Sequence, residues 1–250
     1  MKALITGASS GIGKDMAYYL ADLGIDLILV ARRKDRLEKI KEDLKVNVKI
    51  INLDLINTKN VYALYDKVKN ENIDILINNA GFGLFGHFID TDLERELEMI
   101  DLNIKTYHIL TKLFLKDFVK KDSGYILNVC SSAGFLAGPR LSTYYATKNY
   151  ITKLTLAIYE ELRKMKSNVT ICALCPGPVN TEFNKVAKGK FTIKGADSSK
   201  VTRYAINKMF KRKLIIVPTL TMKIGLFLSR FTSWRLLLAI AYKIQYRKTR

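Results

Sequence analysis

Short apolar runs alternate with amphipathic stretches along the first 180 residues of the chain. Apolar positions recur at helical spacing near residues 12–23, 34–44, 58–70, 92–118 and 143–166. Runs rich in Val, Ile and Leu predict strands at Ala3–Thr6, Leu27–Ala31, Val48–Asn52, Ile73–Asn78, Tyr125–Cys130, Val169–Leu174 and Leu214–Val217. Because strands and helices alternate with short connections, we expect parallel strands joined by right-handed crossovers. The predicted fold class is α/β, a doubly wound parallel sheet.

The composition agrees with one folded domain. A chain of 250 residues that is 48% hydrophobic and 26% charged can bury a sizeable core, which excludes disordered and collagen-like classes. Its three cysteines are too few for a disulfide scaffold, and an odd number suits a reducing compartment. The apolar run before Thr6 is too short for a signal peptide. We therefore expect a cytoplasmic protein.

The net charge of +19 is concentrated at one end of the chain. Residues 185–250 hold 17 Lys and Arg against one acid, Asp197, whereas residues 1–184 are nearly neutral. The same end is strongly apolar, a combination typical of a segment that contacts a membrane surface or a partner. An oligomer interface or a substrate lid with a basic rim fits equally well, and nucleic-acid binding fits least, so no nucleic-acid partner is expected.

Residues 219–250 are predicted to form a basic, apolar, helical extension of a domain that spans residues 1–218. The stretch Ile224–Tyr242 has the length of a membrane-spanning helix. Arg230 and Arg235 interrupt it, and an arginine is costly at the centre of a bilayer. Any membrane contact of this extension is therefore expected to be peripheral.

A glycine-rich turn follows the first predicted strand. The sequence Thr6-Gly7-Ala8-Ser9-Ser10-Gly11-Ile12-Gly13 leads directly into a predicted helix. Glycines permit a tight turn and a close approach of the backbone to a pyrophosphate, and a helix N-terminus offers N–H groups with a partial positive charge. In this strand–turn–helix context the glycines predict a dinucleotide site.

Arginines after the second predicted strand indicate which dinucleotide binds. An NAD site of this kind carries an acid there, which accepts a hydrogen bond from the ribose 2′-hydroxyl. Ala31 stands at that position and is followed by Arg32 and Arg33, whose guanidinium groups suit a 2′-phosphate. We therefore expect NADP(H) to be preferred over NAD(H). The alternative is that both arginines simply open a charged helix.

Three further residues have the chemistry of a proton-transfer site. Tyr144 and Lys148 are four residues apart, so both side chains lie on one face of a predicted helix. A nearby ammonium group favours the phenolate and lowers the pKa of a tyrosine. Ser131 follows the fifth predicted strand, at the end where open α/β sheets bind ligands. Its hydroxyl can hydrogen bond a substrate oxygen that gains negative charge.

With these motifs in order, residues 1–182 resemble the short-chain dehydrogenase/reductase family, which has a Rossmann-like fold. The resemblance rests on Thr6-Gly7-x3-Gly11-x-Gly13, Asp54, Asn78-Asn79-Ala80-Gly81, Asn103, Ser131, Tyr144-x3-Lys148 and Pro176-Gly177-Pro178-Val179-Asn180-Thr181. It implies an oxidoreductase that interconverts a carbonyl and a secondary alcohol on a small or lipophilic substrate. It also implies a homodimer or homotetramer and a mobile substrate flap at residues 182–200.

The resemblance assigns roles to individual residues. Tyr144 would act as general acid or base, and Lys148 would lower its pKa and hold the nicotinamide ribose. Ser131 would polarise the carbonyl, and Asn103 would support a proton relay to solvent. The implied cofactor contacts are Gly7, Ser9, Gly11, Ile12, Arg32, Asp54, Leu55, Asn79, Tyr144, Lys148, Pro176, Gly177 and Thr181.

Neighbouring residues offer weaker alternatives for two of these roles. Ser131 is preferred to Ser132 because of its interval to the tyrosine. Tyr145 is a weaker rival of Tyr144, since no lysine lies four residues beyond it. Phe82, Phe85, Phe135 and Leu136 are expected near the mouth of the pocket or in ordinary core packing.

No metal site is predicted. Cys172 and Cys175 lie in an apolar strand at positions that face opposite sides, and no second ligand pair accompanies them. His87 and His108 have no obvious partners and are taken as structural. Asn78 is expected to tie adjacent strands together.

Two alternative functions remain beside a cytosolic carbonyl reductase. One is a membrane-surface ketoreductase for acyl, sterol or sphingoid lipids, held there by the basic extension. The other is a catalytically idle NADP-binding interaction protein. The presence of Ser131, Tyr144 and Lys148 together with Asn103 disfavours an idle protein.

Overall fold

A single parallel sheet organises the protein. The computed structural model describes residues 1–187 and 195–246, so residues 188–194 of the predicted flap and residues 247–250 lie outside the described residues. The strands of the described part are β1 (Lys2–Thr6), β2 (Asp26–Ala31), β3 (Val48–Asn52), β4 (Ile75–Asn78), β5 (Tyr125–Val129), β6 (Thr170–Leu174) and β7 (Ile215–Ile216). They lie parallel in the order β3-β2-β1-β4-β5-β6-β7. The predicted α/β fold with a doubly wound sheet is therefore confirmed.

Helices connect the strands and follow the last of them. They are α1 (Gly11–Asp22), α2 (Lys34–Asp43), α3 (Thr58–Val68), α4 (Leu93–Ile100), α5 (Tyr107–Lys120), α6 (Ser142–Lys164), α7 (Phe183–Val186), α8 (Ser198–Phe210), α9 (Leu220–Leu228) and α10 (Trp234–Tyr246). A π-helical turn at Asp101–Thr106 joins α4 to α5, and 3₁₀ turns lie at Ser132–Phe135 and Ser229–Phe231.

Both faces of the sheet are covered, which explains why its strands are continuous apolar runs. On one face, Met16 and Leu20 of α1, Leu37 of α2 and Met209 of α8 pack against β1 and β2. On the other face, residues of α3, α5 and α6 pack against the same strands, among them Leu64, Phe114, Phe118 and Leu162. Burial of these apolar side chains on both faces is the main source of stability for such a sheet.

The order of the strands reverses between β1 and β4. In open α/β sheets a crevice forms at the carboxyl ends of the strands on either side of such a reversal, and ligands bind there. The glycine-rich turn follows β1, and Asn79 follows β4. The fold therefore brings two of the predicted motifs to one crevice.

The predicted long helix at residues 92–118 is interrupted. It begins where Asp92 accepts a hydrogen bond from the backbone N–H of Arg95 (2.8 Å), and it runs through the π-helical turn to Lys120. The strand expected from Ile73 begins at Ile75. A π-helical turn inserts one residue without changing the apolar character of the buried face, so periodicity alone does not locate it.

The predicted C-terminal extension is helical over α9 and α10. Met222 and Leu226 of α9 pack against a buried cluster that includes Cys175, with Phe135 beside them. No helix in the described part of the chain is long and apolar enough to cross a membrane. A domain boundary after residue 218 stays a prediction.

Candidate active site

The glycine-rich turn is fixed by the loop that follows β4. The hydroxyl of Thr6 accepts hydrogen bonds from the backbone N–H groups of Asn79 (2.9 Å) and Ala80 (3.1 Å). The Asn79 side-chain amide donates to the carbonyl oxygens of Thr6 (2.9 Å) and Gly7 (3.1 Å). Asn79 therefore holds the shape of the turn, a role that the sequence did not reveal. Its predicted contact with a ribose stays a prediction.

The turn leaves space where side chains would otherwise stand. Gly7 and Gly11 have φ angles of +66° and +53°, which favour glycine. A Cβ on Gly11 would lie 3.0 Å from Thr181, and one on Gly13 would lie 2.5 Å from the carbonyl oxygen of Gly7. Because α1 begins at Gly11, its N-terminal N–H groups and partial positive charge lie at this turn. The residues present thus fit a pyrophosphate group.

The two arginines after β2 have different surroundings. Arg33 donates to the hydroxyls of Ser9 (3.1 and 3.2 Å) and Ser10 (2.8 Å), both in the glycine-rich turn. Arg32 has a 58% exposed side chain and lies 3.7 Å from Asp54. The predicted phosphate contact named Arg32, whereas Arg33 is the arginine that touches the turn. Its position depends on hydrogen bonds between distant segments, which no local pattern shows.

A carboxylate bridges two arginines near the glycine-rich turn. Glu182 pairs with Arg36 (2.7 Å) and with Arg33 (2.8 Å). Hydrogen bonds from Arg36 and Arg33 lower the pKa of Glu182 to about 2. Glu182 is the first residue of the predicted substrate flap, so ion pairs connect the flap to the phosphate side of the crevice.

Asp54 and Leu55 follow β3 and line the same cavity. An oxygen of Asp54 accepts a hydrogen bond from the backbone N–H of Ile56 (3.1 Å). The carbonyl oxygen of Leu55 accepts one from the Thr106 hydroxyl (2.7 Å), which ties this loop to the π-helical turn. Hydrogen bonds therefore hold this part of the cavity wall, and Leu55 makes it partly apolar.

Ser131, Tyr144 and Lys148 meet at the other end of the cavity. Tyr144 and Lys148 lie on one face of α6, with Lys148 Nζ 5.9 Å from the centre of the tyrosine ring. Lys148 is buried and donates to the carbonyl oxygen of Val129 at the end of β5 (2.9 Å). The Ser131 hydroxyl lies beside the Tyr144 phenol and accepts a hydrogen bond from the backbone N–H of Ala133 (3.1 Å). Ser132 also lines the cavity.

Burial changes the proton affinity of two groups here in opposite directions. It raises the pKa of Tyr144 well above its usual value, and the hydrogen bond from Ser131 opposes this rise in part. It lowers the pKa of Lys148 to about 8. The expected lowering of the Tyr144 pKa by Lys148 is not found, and the ammonium group donates to the carbonyl oxygen of Val129 instead. Tyr144 is consequently a neutral phenol at neutral pH.

Asn103 lies behind the lysine, in the π-helical turn. Its side chain is fully buried, accepts from the backbone N–H of Phe82 (3.1 Å) and donates to the Phe82 carbonyl (2.9 Å) and the Thr147 hydroxyl (3.1 Å). A Cβ on Gly81 would lie 2.8 Å from Asn103 Oδ1 and 3.7 Å from Lys148 Nζ. Asn103 thus joins the loop after β4 to α6. Asn103 lies within the π-helical turn Asp101–Thr106, and its role in a proton relay stays a prediction.

The loop after β6 forms the third wall. Pro176, Gly177 and Thr181 line the cavity, and their contact with a cofactor stays a prediction. Two unpredicted residues cover this wall. Phe183 lies over Tyr144 with ring centres 5.2 Å apart, and Met222 lies so close to Gly177 that a Cβ there would be 2.8 Å from its Cγ.

The C-terminal helix closes the cavity on the substrate side. Leu237, Ile240, Ala241, Ile244 and Gln245 of α10 line it. Gln245 is 2% exposed and donates to the Tyr145 hydroxyl (2.8 Å). Tyr145 therefore holds α10, while Tyr144 contacts Ser131. The amphipathic pattern of this segment was visible in the sequence, but its position over the cavity was not.

One continuous cavity of about 580 Å³ connects the glycine-rich turn to Tyr144. Of the aromatic and apolar residues expected at its mouth, Phe82 and Leu136 line it. Phe85 and Phe135 pack elsewhere, against Arg140 and the cluster beneath α9 respectively. The end near Tyr144 is largely apolar, with Phe183 over the tyrosine ring.

The residues set aside as structural have structural partners. Asn78 of β4 donates to Asn128 of β5 (2.9 Å), which confirms that it ties adjacent strands. Cys130, Cys172 and Cys175 are free and buried. His108 hydrogen bonds to Tyr150 (2.9 Å). Within the described ranges, no group of His, Cys, Asp and Glu could hold a metal ion.

Comparison with known proteins agrees with this geometry. Residues 1–190 match the short chain dehydrogenase family. The NADP-dependent 3-hydroxy acid dehydrogenase of Schizosaccharomyces pombe is 36% identical over 191 residues, covering 73% of each chain. The human very-long-chain 3-oxoacyl-CoA reductase is 34% identical over 198 residues, which are 74% of this chain and 62% of that enzyme.

A solved structure extends the similarity to most of the chain. The short-chain dehydrogenase from Sphingobium yanoikuyae in complex with NADPH aligns with a TM-score of 0.83 and 30% identity. The alignment covers 92% of this chain and 93% of that chain. The expected family, fold and enzyme class are thereby confirmed. This chain belongs to the short-chain dehydrogenase family and is an NAD(P)-dependent oxidoreductase that acts on alcohol or ketone groups.

Proposed function

We propose that the protein interconverts a carbonyl and a secondary alcohol with NADP(H), on a small or lipophilic substrate. One observation carries the proposal: Ser131, Tyr144 and Lys148 meet in the same cavity as the glycine-rich turn and Arg33. A proton-transfer group at one end and an anion-binding turn at the other are what a nicotinamide-dependent reaction requires. The complete set also disfavours a catalytically idle binding protein.

The chain's own residues supply the proton and the orientation. The Ser131 hydroxyl holds the substrate oxygen, and the neutral phenol of Tyr144 donates its proton to that oxygen as the carbonyl becomes an alcohol. In the reverse direction the Tyr144 phenolate takes the proton back. Lys148 restores the proton and orients the ribose beside it. Bound NADP(H) would supply or accept the hydride at the carbon atom.

Preference for NADP(H) is supported by the charges at the glycine-rich turn. Arg32, Arg33 and Arg36 lie near it, and a carboxylate is missing at Ala31, where an NAD site would carry one. Guanidinium groups bind a phosphate through paired, charge-assisted hydrogen bonds. The relative from Schizosaccharomyces pombe is named NADP-dependent, and the aligned Sphingobium structure holds NADPH.

A fluorescence titration of the purified protein with NADPH and NADH tests this proposal, with the reduced nicotinamide as reporter. We expect tighter binding of NADPH, followed by its oxidation in the presence of apolar ketones. Equal affinity for NADPH and NADH would contradict the proposed binding of the 2′-phosphate by the arginines. Failure to bind either would remove the proposed activity.

A second candidate is a reductase of acyl, sterol or sphingoid carbonyls at a membrane surface. It is favoured by the apolar end of the cavity, which α10 covers with Leu237, Ile240 and Ile244. The similar human enzyme is named for very-long-chain 3-oxoacyl-CoA. Turnover of long-chain ketones but not of short ones would favour this candidate.

Self-association and a cytoplasmic location are also proposed. Leu93, Leu97 and Tyr150 are exposed apolar residues, which a homodimer or homotetramer would cover. Three free cysteines suit a reducing compartment. Analytical ultracentrifugation of the full chain tests the assembly, and a purely monomeric protein would contradict it.

A further inference from the structure

Helices α9 and α10 with the turn between them, residues 220–246, form a unit that we call the C-terminal hairpin. Its inner face is fixed to the cavity wall. Met222 and Leu226 pack on the cluster around Cys175, and Gln245 hydrogen bonds to Tyr145. The hairpin therefore has a defined orientation, and its other face points away from the domain.

The hairpin exposes many large hydrophobic side chains. The following are between 37% and 77% exposed: Leu220, Ile224, Phe227, Leu228, Phe231, Trp234, Leu236, Leu238, Ile240, Tyr242 and Ile244. Phe227 and Phe231 contact each other with ring centres 5.3 Å apart. Proteins that remain monomeric rarely expose so many large apolar side chains in one segment, so the exposed side of the hairpin is expected to be covered in use.

The charges of the hairpin decide what covers it. Lys223, Arg230, Arg235 and Lys243 lie among the apolar residues, and the last acid of the whole chain is Asp197. A second copy seated on this face would bring like charges together without an acid to neutralise them, because a twofold interface pairs the same patch with itself. Nucleic acid would leave the aliphatic residues exposed. An anionic lipid surface matches both the basic and the apolar groups.

We propose that the outer face of the C-terminal hairpin binds an anionic membrane surface, and that a lipid-type carbonyl substrate enters the cavity beneath α10 from that surface. The hairpin lies in the interface without crossing the bilayer. Ile240 and Ile244 belong to both environments, since each lines the cavity and is still more than 40% exposed. The entry of a lipid-type substrate rests on the proposed carbonyl chemistry, whereas the binding of the hairpin to a membrane does not.

Co-sedimentation with vesicles tests the binding without any turnover. We expect the full chain to sediment with vesicles of phosphatidylcholine containing phosphatidylglycerol, to do so less at high salt, and to remain in solution with phosphatidylcholine alone. Phe231→Ser with Trp234→Ser should weaken binding about tenfold or more, as should Arg230→Gln with Arg235→Gln. None of these four residues lines the cavity.

Matched controls lie on the domain body. Leu23→Ser with Met165→Ser removes exposed apolar groups, and Lys153→Gln with Lys164→Gln removes exposed charges. Both control variants should bind vesicles like the unchanged protein. Equal losses in controls and hairpin variants would overturn the assignment of this face. The assignment would also be overturned if the unchanged protein did not bind anionic vesicles, or if it bound DNA instead. A self-associated protein that becomes monomeric only when the hairpin is altered would likewise overturn it.

A second measurement separates this inference from the proposed function. A long-chain ketone is presented in the anionic vesicles, and a short water-soluble ketone in buffer. Phe231→Ser with Trp234→Ser should slow only the first reaction, by about tenfold. Intact NADPH binding without vesicle binding would overturn the membrane inference alone. Vesicle binding without NADPH binding would overturn the proposed function and leave the membrane contact standing.

Discussion

Two adjacent tyrosines of α6 show how much a single residue position decides. Tyr144 lies at Ser131 and under Phe183, in reach of a substrate oxygen. Tyr145 accepts a hydrogen bond from Gln245 and holds α10. Since consecutive residues of a helix point about 100° apart, the Tyr144 side chain faces Ser131 and the Tyr145 side chain faces α10.

Tyr144→Phe should abolish turnover and leave NADPH affinity nearly unchanged. Loss of a positioned general acid typically costs about 10²- to 10⁴-fold in rate. Tyr145→Phe is the matched control, because it removes the same atom one position away and should retain most of the rate. The measurement is kcat from NADPH oxidation, with affinity from titration. Similar losses in both variants would show that the phenol of Tyr144 has no special role.

Arg33→Ala should weaken NADPH binding more than Arg32→Ala does. Arg33 contacts the turn through Ser9 and Ser10, and a hydrogen bond to a charged group contributes about 1.5 to 3 kcal/mol, or roughly 10- to 100-fold. NADH binding should change far less. Lys39→Ala, which removes an exposed charge from the same helix, is the control. Parallel losses for both cofactors in titrations would contradict the assignment.

Among the elements, those defined by local pattern were predictable. Leu27–Ala31 and Val48–Asn52 were placed almost to the residue, because buried parallel strands are continuous apolar runs bounded by turns. The glycine-rich turn and the spacing of Tyr144 and Lys148 are local as well. The contact of Arg33 with the glycine-rich turn was not predictable, since it depends on Ser9 in another segment. The position of α10 was not either, because one amphipathic pattern serves a lid, an interface or a membrane contact.

The contact between α9 and the loop after β6 can be tested with two glycines. Gly177→Ala would place a Cβ 2.8 Å from Met222, so the Met222 side chain or α9 must shift, at a cost of about 1 to 3 kcal/mol. Gly225→Ala meets nothing within 4 Å and should stabilise α9 by up to about 1 kcal/mol. Urea unfolding and proteolysis within residues 219–246 measure both effects. If both variants changed the free energy of unfolding in the same direction, α9 would not pack on Gly177.

At the scale of the whole molecule, buried Lys148 makes the stability depend on pH. Its pKa is lowered by burial from 10.5 to about 8. Below pH 8 the folded and unfolded states both bind the proton. Between about pH 8 and 10.5 the unfolded state binds more protons, so the free energy of unfolding rises with pH.

The unchanged protein should therefore gain stability relative to Lys148→Met as the pH is raised from about 7 to about 10. The gain should be about 1 to 3 kcal/mol, given roughly 1.4 kcal/mol for each unit of pKa. Urea midpoints at the two pH values measure it, and comparison with the variant cancels groups that both proteins share. Lys153→Met, at an exposed position of α6, should show no such difference. A constant gap between the unchanged protein and Lys148→Met would contradict the burial of this charge.

The ion pairs of Glu182 have a consequence for the order of events in a catalytic cycle. Glu182 stands at the start of the predicted flap and pairs with Arg36 and with Arg33, which contacts the glycine-rich turn. A phosphate arriving at those arginines competes with this carboxylate and releases the flap from them. We therefore expect the cofactor to bind before the second ligand and to leave after it. Steady-state kinetics would then show a compulsory order of binding. Its cause would be the competition between a phosphate and Glu182 for Arg33 and Arg36.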